Sequence, residues 1–408
     1  MARASSSGPY RIVCIGGGTG LPVLLRGLRE YRRRNLPGSE KLDLSAVTPI
    51  VAFSDDGGSS GRLVKAYGVL PPGDLRNCLL ALADPEIEPL MTHFFNHRFG
   101  PGEGETLAGH SAGNLFLLAL SQLHGGDVRK AILDAGRLLG IEGKIVFPTL
   151  APAVLCAQLE DGSVVVGESA IASRANPAPI SRVFLARRGS RHPKPEKAAR
   201  LPATPEAIEA IEAADAIVLG PGSLYSSVVA SLLVPDVAEA VRRARAVKIY
   251  VANLMVEPGE TDDYSLEDHV RALYRHGRIR VDYVLANRSR VDPTLARLYL
   301  LERLEREVEN LKRALDTESR RAVGQIVPLR VARIRSLLEQ VSRPRGDRGQ
   351  VLARPGQRTL AGARVVGIDA VRIEEIREAN GSKRVLRHDP EKLVRAVLGV
   401  LSRARRGA

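Results

Sequence analysis

The run RIVCIGGGTGLPVLLRGL, from Arg11 to Leu28, constrains the fold more than any other stretch of the chain. Arg11–Ile15 is apolar after its first residue without alternation, the pattern of a strand covered on both faces. Gly16, Gly17, Gly18 and Gly20 follow, with Thr19 among them, and Pro22 then falls near the first turn of an apolar-faced helix. Such a unit aims free backbone N–H groups and the positive end of a helix at one point, where a phosphate is stabilised. Counted from Gly16, the sixth position of a dinucleotide fingerprint is Leu21, so the strict nicotinamide pattern fails. A phosphate-bearing ligand of another kind is expected.

The interior of such a chain must be aliphatic. Trp is absent and aromatics make up 4% of a sequence that is 44% hydrophobic, which suits a Val/Ile/Leu sheet in an α/β protein. The net charge of +14 comes from 60 basic against 46 acidic residues. The arginines are scattered and few aromatics are available for stacking, so a basic surface facing a small anion is expected rather than nucleic acid. Cys14, Cys78 and Cys156 lie far apart and show neither metal nor disulfide spacing. The opening MARASSSGPY lacks an apolar signal core, and no run of 18 apolar residues occurs, so a cytoplasmic protein without membrane insertion is expected.

Further strand ends supply polar residues. Val47–Phe53 reads as a second strand that delivers Asp55 and Asp56 into a Gly/Ser loop, SDDGGSSGR. Carboxylates at that place accept from sugar hydroxyls, hold a metal or act as a base, and both are candidate catalytic groups. Pro71-Pro72-Gly73 forces a turn before a helix over Leu75–Ala83. Asp74 is its N-cap or a ligand contact, and Arg76 and Asn77 lie in reach of a phosphate or sugar. Gly109-His110-Ser111-Ala112-Gly113 spells a nucleophile elbow, but GPGEGETL before it is a loop where the elbow demands a strand. His110, Ser111 and Asn114 are therefore read as donors at the start of a helix over Asn114–Leu123.

Lys144–Ile171 reads as strands with a turn at Asp161-Gly162, an antiparallel excursion. Ala216–Leu219 opens a second strand–glycine–helix unit, with Gly222 and Ser223 in its turn, Ser223 placed to cap the helix Leu224–Leu233 or touch a phosphate. Strands Val247–Val251 and Val281–Ala286 follow, with Asn253 just beyond the first. Leu295–Arg321 has helical periodicity with Glu302/Arg306 and Glu309/Arg313 pairs, a second helix covers Leu329–Val341, and Pro344–Gly362 reads as a mobile basic linker. The chain returns through a strand at Ala363–Ile368 to Arg387, placed just ahead of a last helix that starts at Asp389-Pro390. The expected organisation is a disordered tail over 1–9, an α/β domain over 10–299, a helical insertion and linker over 300–362, and a strand and helix over 363–408 completing the domain.

Taken in order, IGGGTGL, SDDGGSSGRL, LPPGDLRNCLLAL, GHSAGNL, LGPGSLYSSV, NLMVEPGET and RHDPEKL resemble the gluconeogenesis-factor (YvcK-type) family, similar in fold to 2-phospho-L-lactate transferase (CofD-type). The resemblance implies a Rossmann-like, mostly parallel sheet flanked by helices, with a small antiparallel excursion and the helical insertion. It implies binding of a UDP-sugar, typically UDP-N-acetylglucosamine, with no required cofactor. It also implies a regulatory role in cell-envelope morphogenesis and peptidoglycan balance on gluconeogenic carbon sources. Carried over by motif, Gly17, Gly18, Thr19 and Gly20 face the ligand's phosphates, Asn114 and Ser223 lie nearby, and Arg387 sits at the nucleotide end. By the same resemblance, cell-envelope synthesis or cytoskeletal proteins, a Ser/Thr kinase and a second copy of the chain are partners. The competing reading is the transferase itself, in which Asp55 or Asp56, with Mg²⁺, assists transfer of phospholactate to a deazaflavin.

Overall fold

The computed structural model describes residues 8–100, 106–174, 176, 178–190, 192–257, 259–317, 327–328, 330–331, 334–335, 337–338, 349–378 and 381–406. Its centre is a seven-stranded sheet. In chain order its strands are β1 (Tyr10–Gly16), β2 (Leu42–Val51), β6 (Ala216–Leu219), β7 (Val247–Val251), β8 (Tyr283–Asn287), β9 (Thr359–Leu360) and β10 (Ala363–Ile368), arranged β2-β1-β6-β7-β8-β10-β9. All neighbours are parallel except β9, which turns back on β10. The expected α/β class is what the chain adopts.

The reason is visible in burial. Ile12 to Ile15, Ala216 to Leu219 and Val284 to Ala286 are each at most 2% exposed, so these strands carry apolar side chains on both faces because helices cover both. One layer contains α1 (Gly20–Arg33), packed against α3 (Pro72–Leu82) and against the last helix, α13 (Pro390–Arg406). Between them lie α2 (Gly58–Tyr67) and, further along, α4 (Glu88–Asn96), α5 (Ala112–Leu123) and α6 (Val128–Leu138). The other helices used below are α7 (Glu168–Ser173), α8 (Pro205–Ala213), α9 (Ala230–Leu232), α10 (Pro235–Arg243), α11 (Leu266–Gly277) and α12 (Pro293–Thr317).

The antiparallel excursion is a three-stranded sheet, β4-β3-β5, from β3 (Ala153–Leu159), β4 (Val164–Val166) and β5 (Ile180–Arg187). The first run of the strand-like stretch Lys144–Ile171, KIVFPTL, reduces to a single bridge between Val146 and Ile50, because Pro148 follows Phe147 and removes the next donor. The helix expected over Leu224–Leu233 begins as a π-helical stretch, Leu224–Val229, before α9.

Two readings of the C-terminal third need correction. Gly349–Gly362 is docked rather than a mobile linker: Val256 donates to the Gly349 carbonyl at 2.6 Å, Val351 to Leu254 at 3.0 Å and Ala353 to Asn287 at 2.9 Å, with Val351 fully buried. Residues 344–348 of that reading lie outside the described residues. The stretch expected to pass from one strand to the last helix also forms a hairpin, β11 (Val371–Glu378) with β12 (Gly381–His388), so Arg387, just ahead of α13 as expected, lies in a strand opposite Arg372. The helix expected at Leu295–Arg321 is α12, and the described part of the second is helical at residues 327–328, 330–331, 334–335 and 337–338.

Candidate functional site

The carboxyl ends of the parallel strands converge on two glycine turns that interlock. The Gly16 carbonyl accepts from Ala52, and Gly220 donates to Ile15, so the β1 turn is held from both neighbouring strands. A Cβ on Gly17 would stand 2.3 Å from Asp74 Oδ2 and 2.8 Å from Ala52 Cβ; one on Gly20 would stand 2.6 Å from the Pro221 carbonyl. Gly222 lies against the Gly17 carbonyl, and Gly18 has φ of 60°. Thr19 precedes α1 and makes no capping bond with its side chain. Gly20 and Gly222 face backbone, Gly17 faces the Asp74 and Ala52 side chains, and Gly18 needs its positive φ, so each position demands glycine.

Asp74 is not the cap of α3. Pro71 holds that position, and Asp74 sits in the first turn with its carboxylate accepting the Gly18 N–H, while Asn77 Nδ2 donates to the Gly18 carbonyl at 3.4 Å. Burial, followed by the charge of Asp55, pushes Asp74 up to about 7 against the lowering pull of the Gly18 hydrogen bond and Arg76. A carboxyl that titrates near neutrality can give or take a proton in a reaction.

The adjacent aspartates of SDDGGSS divide their work. Asp55 Oδ1 accepts from Gly57 at 3.0 Å and its other oxygen faces Gly73 and the Asp74 side of the loop. Asp56 instead accepts from Glu168 N at 3.0 Å and Ser169 N at 2.8 Å, capping α7. The two expected candidates thus part: Asp56 is engaged at α7, and Asp55 is the one whose charge acts on Asp74. α7 brings in a carboxyl that the sequence did not suggest: Glu168, which accepts from Ser54 Oγ at 3.3 Å. Burial, reinforced by Glu260, Asp55, Asp74 and Asp56, raises it well above the ordinary range.

Ser223 holds the N-cap position of the helix after β6, but its side chain makes no capping bond. Its hydroxyl donates to Glu257 Oε1 at 2.9 Å, Leu224 N donates to Glu257 Oε2, and Tyr225 N and Ser226 N donate to Glu260 Oε2 at 3.1 and 3.2 Å. Two buried carboxyls from the 257–261 turn therefore occupy the helix start that the sequence offered to a phosphate. Burial raises both, Glu257 to about 8. The sequence signal was present in NLMVEPGET, but nothing local says that its glutamates face the turn after β6.

On the other flank, Ser111 caps α5 and accepts from Arg76 Nη1 at 2.6 Å, with Asn114 Oδ1 at 3.4 Å from the same nitrogen. His110 Nδ1 pairs with Ser59 Oγ at 2.9 Å, not with Ser111, and Asn114 Nδ2 donates to Ser59 at 3.1 Å. Residues 106–109 form a turn and Arg98 makes only a single bridge to Ser111. Among the described residues no strand leads into Ser111, and residues 101–105 lie outside them. Asn253 and Asn287, at the ends of β7 and β8, are 8% and 2% exposed, and the carboxamide oxygen of each is buried without a hydrogen-bond partner. Arg387 makes a local contact, donating to the Leu386 carbonyl at 3.3 Å. Among the described residues no hydrogen bond ties it to the glycine turns.

The family model described as 2-phospho-L-lactate transferase CofD matches residues 12–325. The gluconeogenesis factor of Bacillus subtilis is 42% identical over 306 residues, 74% of this chain and 87% of that protein. A relative from Nostoc sp., provisionally given the same name, is 45% identical over 263 residues, 64% of this chain and 51% of its own length. One from Deinococcus radiodurans is 41% identical over 300 residues, 74% of this chain and 58% of its own length. The chain thus spans between half and three fifths of these two relatives. The crystal structure of a member of the UPF0052 family from Bacillus halodurans superposes with a TM-score of 0.70 at 31% identity, covering 96% of this chain and 99% of that one. No single helix among the described residues is long and apolar enough to cross a membrane.

Proposed function

Because this chain belongs to the CofD family, we propose that it binds a nucleotide sugar across the carboxyl rim of its sheet and works as a gluconeogenesis factor. The observation that carries this reading is the continuity of the rim. The Gly17–Gly20 turn leads, past the turn after β6, to the buried and unpartnered acceptors of Asn253 and Asn287. Backbone N–H groups at the first suit a diphosphate, and carboxamides at the second suit the polar edge of a base. UDP-N-acetylglucosamine is the ligand proposed, and the regulatory role proposed is in cell-envelope morphogenesis on gluconeogenic carbon sources. The names of the relatives support the metabolic setting. Calorimetric titration with UDP-N-acetylglucosamine tests it. Binding at about micromolar Kd (about −8 kcal/mol) that weakens roughly tenfold in Asn253→Ala is the expected outcome; no binding overturns the reading.

A second reading has its own observation, the Asp55–Asp74 pair with Asp74 at about 7. In a CofD-type reaction a carboxylate takes the proton of an attacking deazaflavin hydroxyl, the oxygen bonds to phosphorus, and the nucleotide leaves. Mg²⁺ would stabilise charge on the leaving phosphates. Asp55 and Asp74 are hard oxygen donors, but no group of three or more His, Cys, Asp or Glu side chains among the described residues is arranged to hold a metal. No step is assigned to it. Mg²⁺-dependent turnover that is lost in Asp74→Asn would favour the transferase.

A further inference from the structure

An apolar cavity of about 270 Å³ opens between α3, α6, residues 143–150 and the start of α8, and no residue of the glycine turns lines it. Leu79 of α3, Ile132 and Leu133 of α6, and Ile145 and Phe147 form its walls. Leu79 and Phe147 are at most 2% exposed while Leu133 is 53% exposed, so the cavity runs from the core to the surface. The polar groups of Val146 and Thr204 in these walls are already used. Val146 donates to the Pro49 carbonyl at 3.0 Å and its own carbonyl accepts from Val51 at 2.9 Å. The Thr204 hydroxyl donates to the Phe147 carbonyl at 2.6 Å and accepts from Ala207 N at 3.4 Å. A sugar, base or peptide group placed inside would lose its hydrogen bonds to water without replacement. A hydrocarbon body suits that interior.

Gly136 faces the cavity from the last turns of α6. A Cβ there would meet one atom, the Ile141 Cβ at 4.0 Å, so no close approach demands glycine. Glycine weakens a helix relative to the better helix formers, and its effect here is to keep the room open. Arg129, Arg137 and Lys144 stand around the mouth. Arg129 pairs with Glu206 at 2.5 Å and Arg137 with Asp134 at 3.1 Å. Lys144 is exposed, makes no ion pair among the described residues, and acts on Glu206 through its charge alone. Three cations against two carboxylates leave the mouth positive.

We propose that this cavity binds a free fatty carboxylate, with its alkyl chain between α3 and α6 and its head at Lys144. The volume is that of about nine water-sized groups, the order of a chain of roughly eight to ten carbons. Each methylene taken from water adds a similar favourable increment, and the ammonium at the mouth favours an anionic head over a cationic one. This site stands apart from the nucleotide rim and does not rest on that reading.

The test is calorimetric titration of the full chain with octanoate at low ionic strength. Butanoate, which lacks four of the methylenes, is expected to bind about a hundredfold weaker or worse. Octylammonium, with the same chain and the opposite charge, is expected to bind about tenfold weaker, and Lys144→Glu to remove that preference. Gly136→Leu, which fills the cavity with a better helix former, is expected to raise the urea midpoint and to abolish octanoate binding. Saturating UDP-N-acetylglucosamine should not displace octanoate. Equal affinity for octanoate and butanoate, or for octanoate and octylammonium, overturns the proposal. So does binding that survives Gly136→Leu or is displaced by the nucleotide sugar. Absence of octanoate binding overturns it too, even where the protein sediments with phosphatidylglycerol vesicles.

Discussion

Asp74 shows how one residue can join a turn, a charge and a pH dependence. Its carboxylate takes the N–H of Gly18, so the side chain fits only because Gly17 has no Cβ to meet it. Gly17→Ala places a methyl 2.3 Å from Asp74 Oδ2 and 2.8 Å from Ala52, so the turn must open. The variant is expected to lose about 2 kcal/mol or more of stability, with loss of nucleotide binding, both read by urea titration with and without ligand. Asp74, Glu168, Glu257 and Glu260 all hold protons above the ordinary carboxylate range because they are buried near one another. The folded state therefore binds more protons than the unfolded one across that range, and stability falls as pH rises through the folded values. His276 and His388, buried and lowered to about 4, act in the opposite sense only below about pH 6.5. The urea midpoint should decline from pH 6.5 to 8.5, and Asp74→Asn, which keeps an acceptor for Gly18, should flatten part of that decline.

At the scale of elements, the site is assembled by carboxylates that cap helices from distant parts of the chain. Asp56 closes the start of α7 from 112 residues upstream, and Glu257 and Glu260 close the start of the stretch after β6 from more than 30 residues downstream. Asp56→Ala leaves two N–H groups of a six-residue helix without acceptors. The expected cost is about 1–2 kcal/mol, with faster amide exchange confined to 168–173; unchanged exchange there would show that α7 is held by its packing alone. This is also where the sequence misled. SDDGGSS announces two carboxylates at a strand end, but which of them serves the site depends on where α7 arrives. Ser223 and Asp74 sat at places where capping residues are common, yet their partners are Glu257 and Gly18. Local spacing names a candidate cap; the partner that competes for it comes from elsewhere in the fold.

Across the whole molecule, α12 is tied to the site's scaffold by a buried ion pair. Arg330 meets Glu307 at 3.1 Å, with side chains 13% and 5% exposed, and also donates to the Ser173 carbonyl at the end of α7. Arg129 and Glu206 make a closer pair, but on the surface, at 49% and 36%. The first pair is buried and the second exposed, so Arg330→Ala is expected to cost more than Arg129→Ala, which should cost at most about 1 kcal/mol. Equal denaturation midpoints for the two variants would refute the distinction.

The sequence by itself determined the parallel strands and the glycine turns, because both are written locally. A buried strand shows as an unbroken apolar run, and a turn that backbone must approach closely shows as glycine. It also showed that polar residues gather where those strands end. The tertiary structure alone decided which of those residues touch: Asp74 on Gly18, Asp56 on α7, Glu257 and Glu260 on the turn after β6, and the 349–353 segment across β7 and β8. The hairpin that carries Arg387 and the contact of Arg76 with Ser111 belong to the same class. Each of these is a pairing between charged or polar groups far apart in the chain. Its energy depends on burial and on the partner's position, neither of which any stretch of sequence carries alone.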